Sequence, residues 1–214
     1  MKTASAVICR EINKSFSGRR VIKDFSLTVE DGEMVCLRGP SGCGKTTLLN
    51  IIGLIDRPDS GSIELFGETA PKGGSGSAQR VIRTKINFIL QNFALIESQS
   101  VEKNLALALR YVHASNAEKH ELIKSAIEKV GLGSSLDKKV AQLSGGEQQR
   151  IALARCMIKP GRLIIADEPT GSLDQGNRDI VISLLRRLVD GGKTVILATH
   201  DEKVASSCDK IITL

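Results

Sequence analysis

The chain reads as an α/β protein built on a mainly parallel sheet. Three features point there. Short apolar strands alternate with helical segments, the pattern that strand–helix–strand units produce. Four strands run into glycines or polar groups at their carboxyl ends: Met34–Arg38 into Gly39, Ile86–Leu90 into Gln91, Leu163–Ala166 into Asp167 and Glu168, and Thr194–Ala198 into Thr199 and His200. In open α/β sheets that edge binds ligands. Finally, a glycine-rich loop sits between a strand and a helix.

The elements follow in order. Ala6–Ile12 and Ser26–Val29 read as strands, and Met34–Arg38 as a third. A helix starts near Lys45 and runs to Ile55. Ser62–Leu65 and Ile86–Leu90 are strands, and between them Lys72-Gly73-Gly74-Ser75-Gly76-Ser77 reads as a flexible loop. Val101–Tyr111 is a helix. Ala117–Val130 is amphipathic, with Leu122, Ile123, Ala126, Ile127 and Val130 on one face. Ser115 and Glu118 form a capping box at its start. Gly145–Ile158 is helical and Leu163–Ala166 a strand. Asp179–Val189 is an amphipathic helix with Ile180, Val181, Leu184, Leu185 and Leu188 inward. Thr194–Ala198 is a buried strand and Lys210–Leu214 a short final one. No internal repeat interrupts the pattern, so one domain over residues 1–214 is expected.

At 214 residues the chain can bury about 70% of its unfolded surface. Apolar residues at 41% and charged residues at 25% exclude a disordered tail or a collagen-like fibre. The apolar runs fall short of the ~20 residues that span a bilayer, so a membrane role requires a partner. Arg10 and Glu11 break the first apolar stretch, which speaks against a signal peptide and for the cytosol. The net charge of +6 favours acidic partners such as nucleotides, nucleic acid or anionic headgroups. Without a block of like charges, and with 3% aromatics and no Trp, no nucleic-acid partner is expected. The cysteines Cys9, Cys36, Cys43, Cys156 and Cys208 are odd in number and lack a CxxC pair; they read as free thiols.

Gly39-Pro40-Ser41-Gly42-Cys43-Gly44-Lys45-Thr46 matches GxxxxGK[ST] in its required strand–helix setting. Glycines let backbone N–H groups converge on phosphate oxygens. The helix that follows turns its positive end to the same anion. Lys45 adds a full charge at the β/γ-phosphates and the Thr46 hydroxyl ligates Mg²⁺; Thr47 is placed for the α-phosphate. Cys43 has two readings: a small residue tolerated in the loop, or a thiol activated by the helix start.

Leu163–Ala166 ends in Asp167 and Glu168. Beside a phosphate loop, Asp167 fits the acid that holds Mg²⁺, and Glu168 is free to polarise an attacking water. Leu143-Ser144-Gly145-Gly146-Glu147-Gln148-Gln149-Arg150 opens a helix with a capping box of Ser144 and Glu147. Two glycines in a first turn cost about 1 kcal/mol each. They make sense if another backbone or an anion comes close, and a dimer in which this start caps the neighbour's nucleotide would use them.

With LSGGEQQR in place, the chain resembles the ATP-binding subunit of ABC transporters over nearly its whole length, from about Val7 to Leu214. The resemblance implies a P-loop NTPase core, a small antiparallel β subdomain on the N-terminal side, and an α-helical subdomain bearing the signature within about residues 86–160. It also assigns roles. Phe16 stacks on adenine. Gln91 touches Mg²⁺ and the reactive water and signals to the membrane subunit. Ser144 and Gly146 contact the γ-phosphate across a dimer. Asp174 belongs to the D-loop, and His200 is the switch histidine at the γ-phosphate. ATP and Mg²⁺ are the implied ligands, and Mg-dependent ATP hydrolysis the activity. The implied partners are a second copy, joined on ATP binding, and an integral-membrane permease subunit that holds the chain on the cytoplasmic face.

Asp167-Glu168-Pro169-Thr170-Gly171-Ser172-Leu173-Asp174 and Leu90-Gln91-Asn92-Phe93-Ala94-Leu95-Ile96 are similar to the lipoprotein-release, macrolide-export and bacteriocin-export group. Ser100 and Arg38 depart from the family pattern, and the chain stops before the final hairpin that many relatives carry. A soluble ABC protein of translation or DNA repair, or a regulator of cell-wall enzymes, is the alternative. Translation types usually carry two ATP modules and repair types a long coiled coil, and neither feature is present.

Overall fold

The computed structural model describes residues 5–171 and 173–214. The first four residues of the N-terminal stretch, and Ser172 of the Asp167–Asp174 run, lie outside the described residues. In chain order, β1 (Ser5–Phe16) and β2 (Arg19–Glu30) form a hairpin, and β3 (Met34–Arg38) leads to α1 (Lys45–Ile52). A second hairpin, β4 (Ser60–Leu65) and β5 (Glu68–Thr69), precedes α2 (Gly76–Lys85) and β6 (Ile86–Ile89). Three helices follow: α3 (Val101–Ala108), α4 (Asn116–Lys129) and α5 (Gly145–Ile158). Then come β7 (Leu163–Asp167), α6 (Gln175–Asp190), β8 (Thr194–Ala198), α7 (Glu202–Ser206) and β9 (Lys210–Thr213).

Two sheets result. One is parallel throughout, in the order β6-β7-β8-β3-β9. The other is antiparallel, in the order β2-β1-β4-β5. Both faces of the parallel sheet are covered, which is why its strands are continuous apolar runs. Successive residues of β3 take opposite sides. Met34 and Cys36 join α3–α6 in one core, while Val35 and Leu37 join α1 and the antiparallel sheet in another. The expected mainly parallel α/β sheet, with an antiparallel sheet built largely from the N-terminal strands, is present.

Local differences have local causes. The first hairpin is longer than expected because β-bulges break its alternation near Ile12. Its turn, Ser17-Gly18, has φ of 47° and 81°, the paired left-handed geometry that suits a two-residue hairpin loop. The segment Lys72–Ser77 is not a flexible loop. The Gly74 N–H donates to the Leu54 carbonyl at 3.0 Å, and a Cβ on Gly73 would lie 1.9 Å from the Asp56 carbonyl oxygen. Gly76 and Ser77 already belong to α2, capped by Ser75, whose hydroxyl accepts from the Ala78 N–H at 3.1 Å. The first helix stops at Ile52, where Gly53 abuts the Phe88 ring and Leu54 turns left-handed at φ 60°. The helix read as Val101–Tyr111 stops at Ala108, and the one read from Asp179 begins at Gln175. Leu122 and Ile180, expected inward, are exposed; each lies at the edge of its apolar stripe. All five cysteines are free.

Candidate active site

The carboxyl ends of β3, β7 and β8 bring the phosphate loop, the strand-end acids and the histidine together. In the loop, Gly42 and Gly44 have φ of 78° and 104°. A Cβ on Gly44 would sit 3.0 Å from a Val21 methyl and 3.2 Å from its carbonyl oxygen, so conformation and space both require glycine there. Helix α1 starts with no side-chain cap and no acidic residue in its first turn. Its unpaired N–H groups and dipole therefore remain available to an anion. The Lys45 ammonium donates to the Gly39 and Pro40 carbonyls at 2.8 and 3.0 Å, which holds it over the loop. Thr47 lies in the first turn of α1 and Cys43 in the loop, its Sγ 4.0 Å from Lys45 Nζ.

The acids stand beside it. Asp167 ends β7, and its Oδ2 accepts from the Thr46 hydroxyl at 2.7 Å. Glu168 follows with φ 47°, a strained conformation for a residue with a Cβ. Its N–H donates to the Ala198 carbonyl at 2.9 Å. Its carboxylate lies 2.8 Å from His200 Nδ1 and accepts from the Thr199 hydroxyl at 3.2 Å. Lys45, Thr46, Asp167, Glu168 and His200, each predicted from sequence, thus occupy one sheet edge. In the sequence Thr199 is only a strand-end polar residue; its role as a Glu168 partner depends on two strands lying side by side.

The other predicted residues lie on separate elements: Phe16, Gln91, Ser144 and Asp174 make no hydrogen bond to this edge among the described residues. Phe16 ends β1 and is 47% exposed, so it is no core aromatic. Gln91 follows β6 on an exposed loop. Ser144 caps α5: its hydroxyl accepts from the Glu147 N–H at 3.3 Å while Glu147 Oε2 takes the Ser144 N–H at 2.8 Å. Donation to Glu147 Oε2 from the Ser144 N–H and from its hydroxyl, the latter also at 2.8 Å, holds the Glu147 carboxyl below its usual range. Asp174 caps α6, accepting from the Asn177 N–H at 2.9 Å and its side-chain amide at 2.6 Å. The same bonds from Asn177 depress its pKa.

That amide explains one signature glycine. A Cβ on Gly146 would fall 2.4 Å from Asn177 Cγ and Oδ1, so close approach comes from α6 of the same chain. On Gly145 it would meet, among the described residues, only the Phe93 ring, at 3.8 Å, and the exposed Ser144 and Gly145 leave this helix start open to another molecule. Gly146→Ala should cost about 1–3 kcal/mol by overpacking, and most of that should vanish in an Asn177→Ala background. Urea unfolding of the four proteins checks this; equal costs in both backgrounds would place the strain elsewhere.

A parallel sheet that presents a phosphate loop and two strand-end carboxylates at one edge is the architecture of a P-loop ATPase, and the Ser144-Gly145-Gly146 helix start narrows that class to the ATP-binding cassettes. The family model described as ABC transporter matches residues 22–171, and the chain belongs to this family. It is 37% identical over 208 residues to the macrolide export ATP-binding/permease protein MacB of Campylobacter jejuni, covering 97% of this chain and 32% of that protein. The chain thus spans about a third of the length of the MacB proteins it matches. An uncharacterized ABC transporter ATP-binding protein of Bacillus subtilis, YvrO, is 38% identical over 192 residues, covering 90% of this chain and 84% of that one. The dimeric structure of the ABC transporter cassette MJ0796 superposes with a TM-score of 0.87 at 33% identity, covering 97% of this chain and 94% of that one. The same cassette is known as a dimer in a post-hydrolysis state with ADP and phosphate. The expected fold is accordingly established, and the family is that of the ABC ATPases.

Proposed function

We propose that this chain is the Mg-dependent ATPase subunit of an exporter or mechanotransmitting complex, driving a separate membrane-spanning partner. The observation that carries this reading is the hydrogen-bonded edge of Thr46, Asp167, Glu168, Thr199 and His200 beside the Lys45 loop. The loop amides and the Lys45 ammonium bind the β/γ-phosphates, Thr47 the α-phosphate, and Phe16 the adenine face. The oxygens of Thr46 and Asp167, already 2.7 Å apart, are hard donors suited to Mg²⁺, with Gln91 the third protein group toward it. Bound Mg²⁺ supplies charge neutralisation at the phosphates. Glu168 takes a proton from the attacking water. His200, held to Glu168, orients that carboxylate and lies toward the γ-phosphate. Ser144 and Gly146 of a second copy close over the nucleotide, and Asp174 contributes at the same dimer face.

A further observation supports the membrane partner. An apolar groove of about 350 Å³, lined in part by Phe88, Leu107, Tyr111 and Val112, is also lined by Arg155, whose guanidinium donates to the Phe93 and Ala94 carbonyls of the loop after β6; Leu107 and Tyr111 are half exposed. MacB is a macrolide export ATP-binding/permease protein, and the similarity extends export to this chain as part of the proposal. Tagged Glu168→Gln protein with Mg-ATP should capture a polytopic membrane protein from detergent-solubilised cells, and Leu107→Glu should abolish the capture. Recovery of soluble chains or nucleic acid alone would favour a soluble ABC ATPase.

A further inference from the structure

Helix α5 carries a second contact with the catalytic edge, one that its signature residues do not explain. Gln149 lies one turn into the helix and is only 1% exposed. Its side-chain amide donates to the Pro169 carbonyl at 2.6 Å. Pro169 follows Glu168 directly and is buried. Its carbonyl can only accept, which fixes the Gln149 amide with the nitrogen toward it. The Gln149 Oε1 that results is buried without a partner among the described residues. An unpaired buried oxygen is unfavourable, and an apolar residue of similar size would avoid it. Among the described residues the helix thus carries a costly side chain whose bond ends beside Glu168.

Glu168 is where such a bond has most effect. Its left-handed φ of 47° persists only if its surroundings over-determine it. On the amino side, the Glu168 N–H is tied to Ala198. Its own carbonyl accepts from the Gly171 N–H at 3.2 Å, a long bond. Beyond it Pro169 has no N–H to offer, so the Pro169 carbonyl is the next handle on the turn. Gln149 holds that handle at a short distance.

We propose that Gln149 is a positioning residue for the water-activating carboxylate: by anchoring the Pro169 carbonyl it fixes the left-handed turn that aims Glu168. This rests on the assignment of Glu168 as base. Loss of the amide frees the turn, and the carboxylate then spends less time aligned with water, while the phosphate loop on β3 and α1 is untouched.

Gln149→Met keeps the volume and removes the donor. In steady-state ATPase assays of the purified chain, turnover should fall about tenfold with the KM for ATP within about twofold, a loss confined to the transition state. In a Glu168→Gln background the same substitution should have almost no further effect in single-turnover assays, because Gln149 acts through Glu168. Should the Met variant not fold, Gln149→Asn, whose amide is one methylene too short, carries the same test. Unchanged turnover in the folded variant overturns the proposal, as does a rise in KM matching the fall in turnover, or an equal loss with and without Glu168. If Glu168→Gln itself leaves turnover intact, the base assignment fails first and the role of Gln149 with it.

Discussion

Glu168→Gln should lower ATP turnover a hundredfold or more, within the roughly 10²–10⁴ range of a positioned general base, while ATP still binds. Glutamine keeps the shape of the side chain, and its amide can still hydrogen-bond to Thr199 and His200. What it loses is the ability to take a proton from water. The groups assigned to phosphate and metal lie on other residues: Lys45 and Thr46 on α1, and Asp167 at the end of β7. Nucleotide affinity should therefore stay within a few-fold of wild type while turnover collapses. Equilibrium titration with ATP and a phosphate-release assay on the same protein separate the two effects. Near-normal turnover would remove Glu168 from the base role and leave the water to another group.

Lys45→Ala should act on the other quantity. The ammonium is held over the loop by the Gly39 and Pro40 carbonyls, at the start of a helix whose first turn offers no competing acid. Hydrogen bonds to charged groups contribute about 1.5–3 kcal/mol, so ATP affinity should fall roughly tenfold to a hundredfold or somewhat more. Lys45 forms no ion pair to a carboxylate among the described residues, so the fold should survive its loss. Intact affinity in a titration calorimeter would count against the phosphate assignment.

The parts of the molecule legible in the sequence are those where chemistry and structure are local. Strands β3, β7 and β8 show as short apolar runs because both faces of their sheet are covered. The residues at their carboxyl ends follow from the same runs, and so the site appears with them. The capping boxes at Ser115 and Ser144 need only a four-residue pattern and form as expected. Helix α2 has no clear mark in the sequence because it opens with Gly-Ser and buries little beyond Ala78. Helix α7 has five residues, too few for a period, and depends on Asp201 capping Lys203 and Val204. The hairpin ends of β1 and β2 were lost to left-handed residues at Glu11 and Asp24, which disrupt the alternation that marks a strand.

Within the site, the residues missed are those whose purpose lies on another element. Thr199 serves Glu168 across two strands, Asn177 sets the space at Gly146 across two helices, and Gln149 reaches the turn after β7. No spacing rule exposes such pairs, because register and packing bring them together. The exposure of Phe16 is the converse case, where structure removes the ordinary reading of an aromatic as core.

Light scattering of the Glu168→Gln protein, with Mg-ATP and then with Mg-ADP, tests the two-copy ATPase most directly. A mass that doubles with Mg-ATP and returns to a single chain with Mg-ADP is the predicted result, with Ser144 and Gly146 of each copy closing over the other's nucleotide. A single-chain mass in Mg-ATP at concentrations that saturate the site would contradict it.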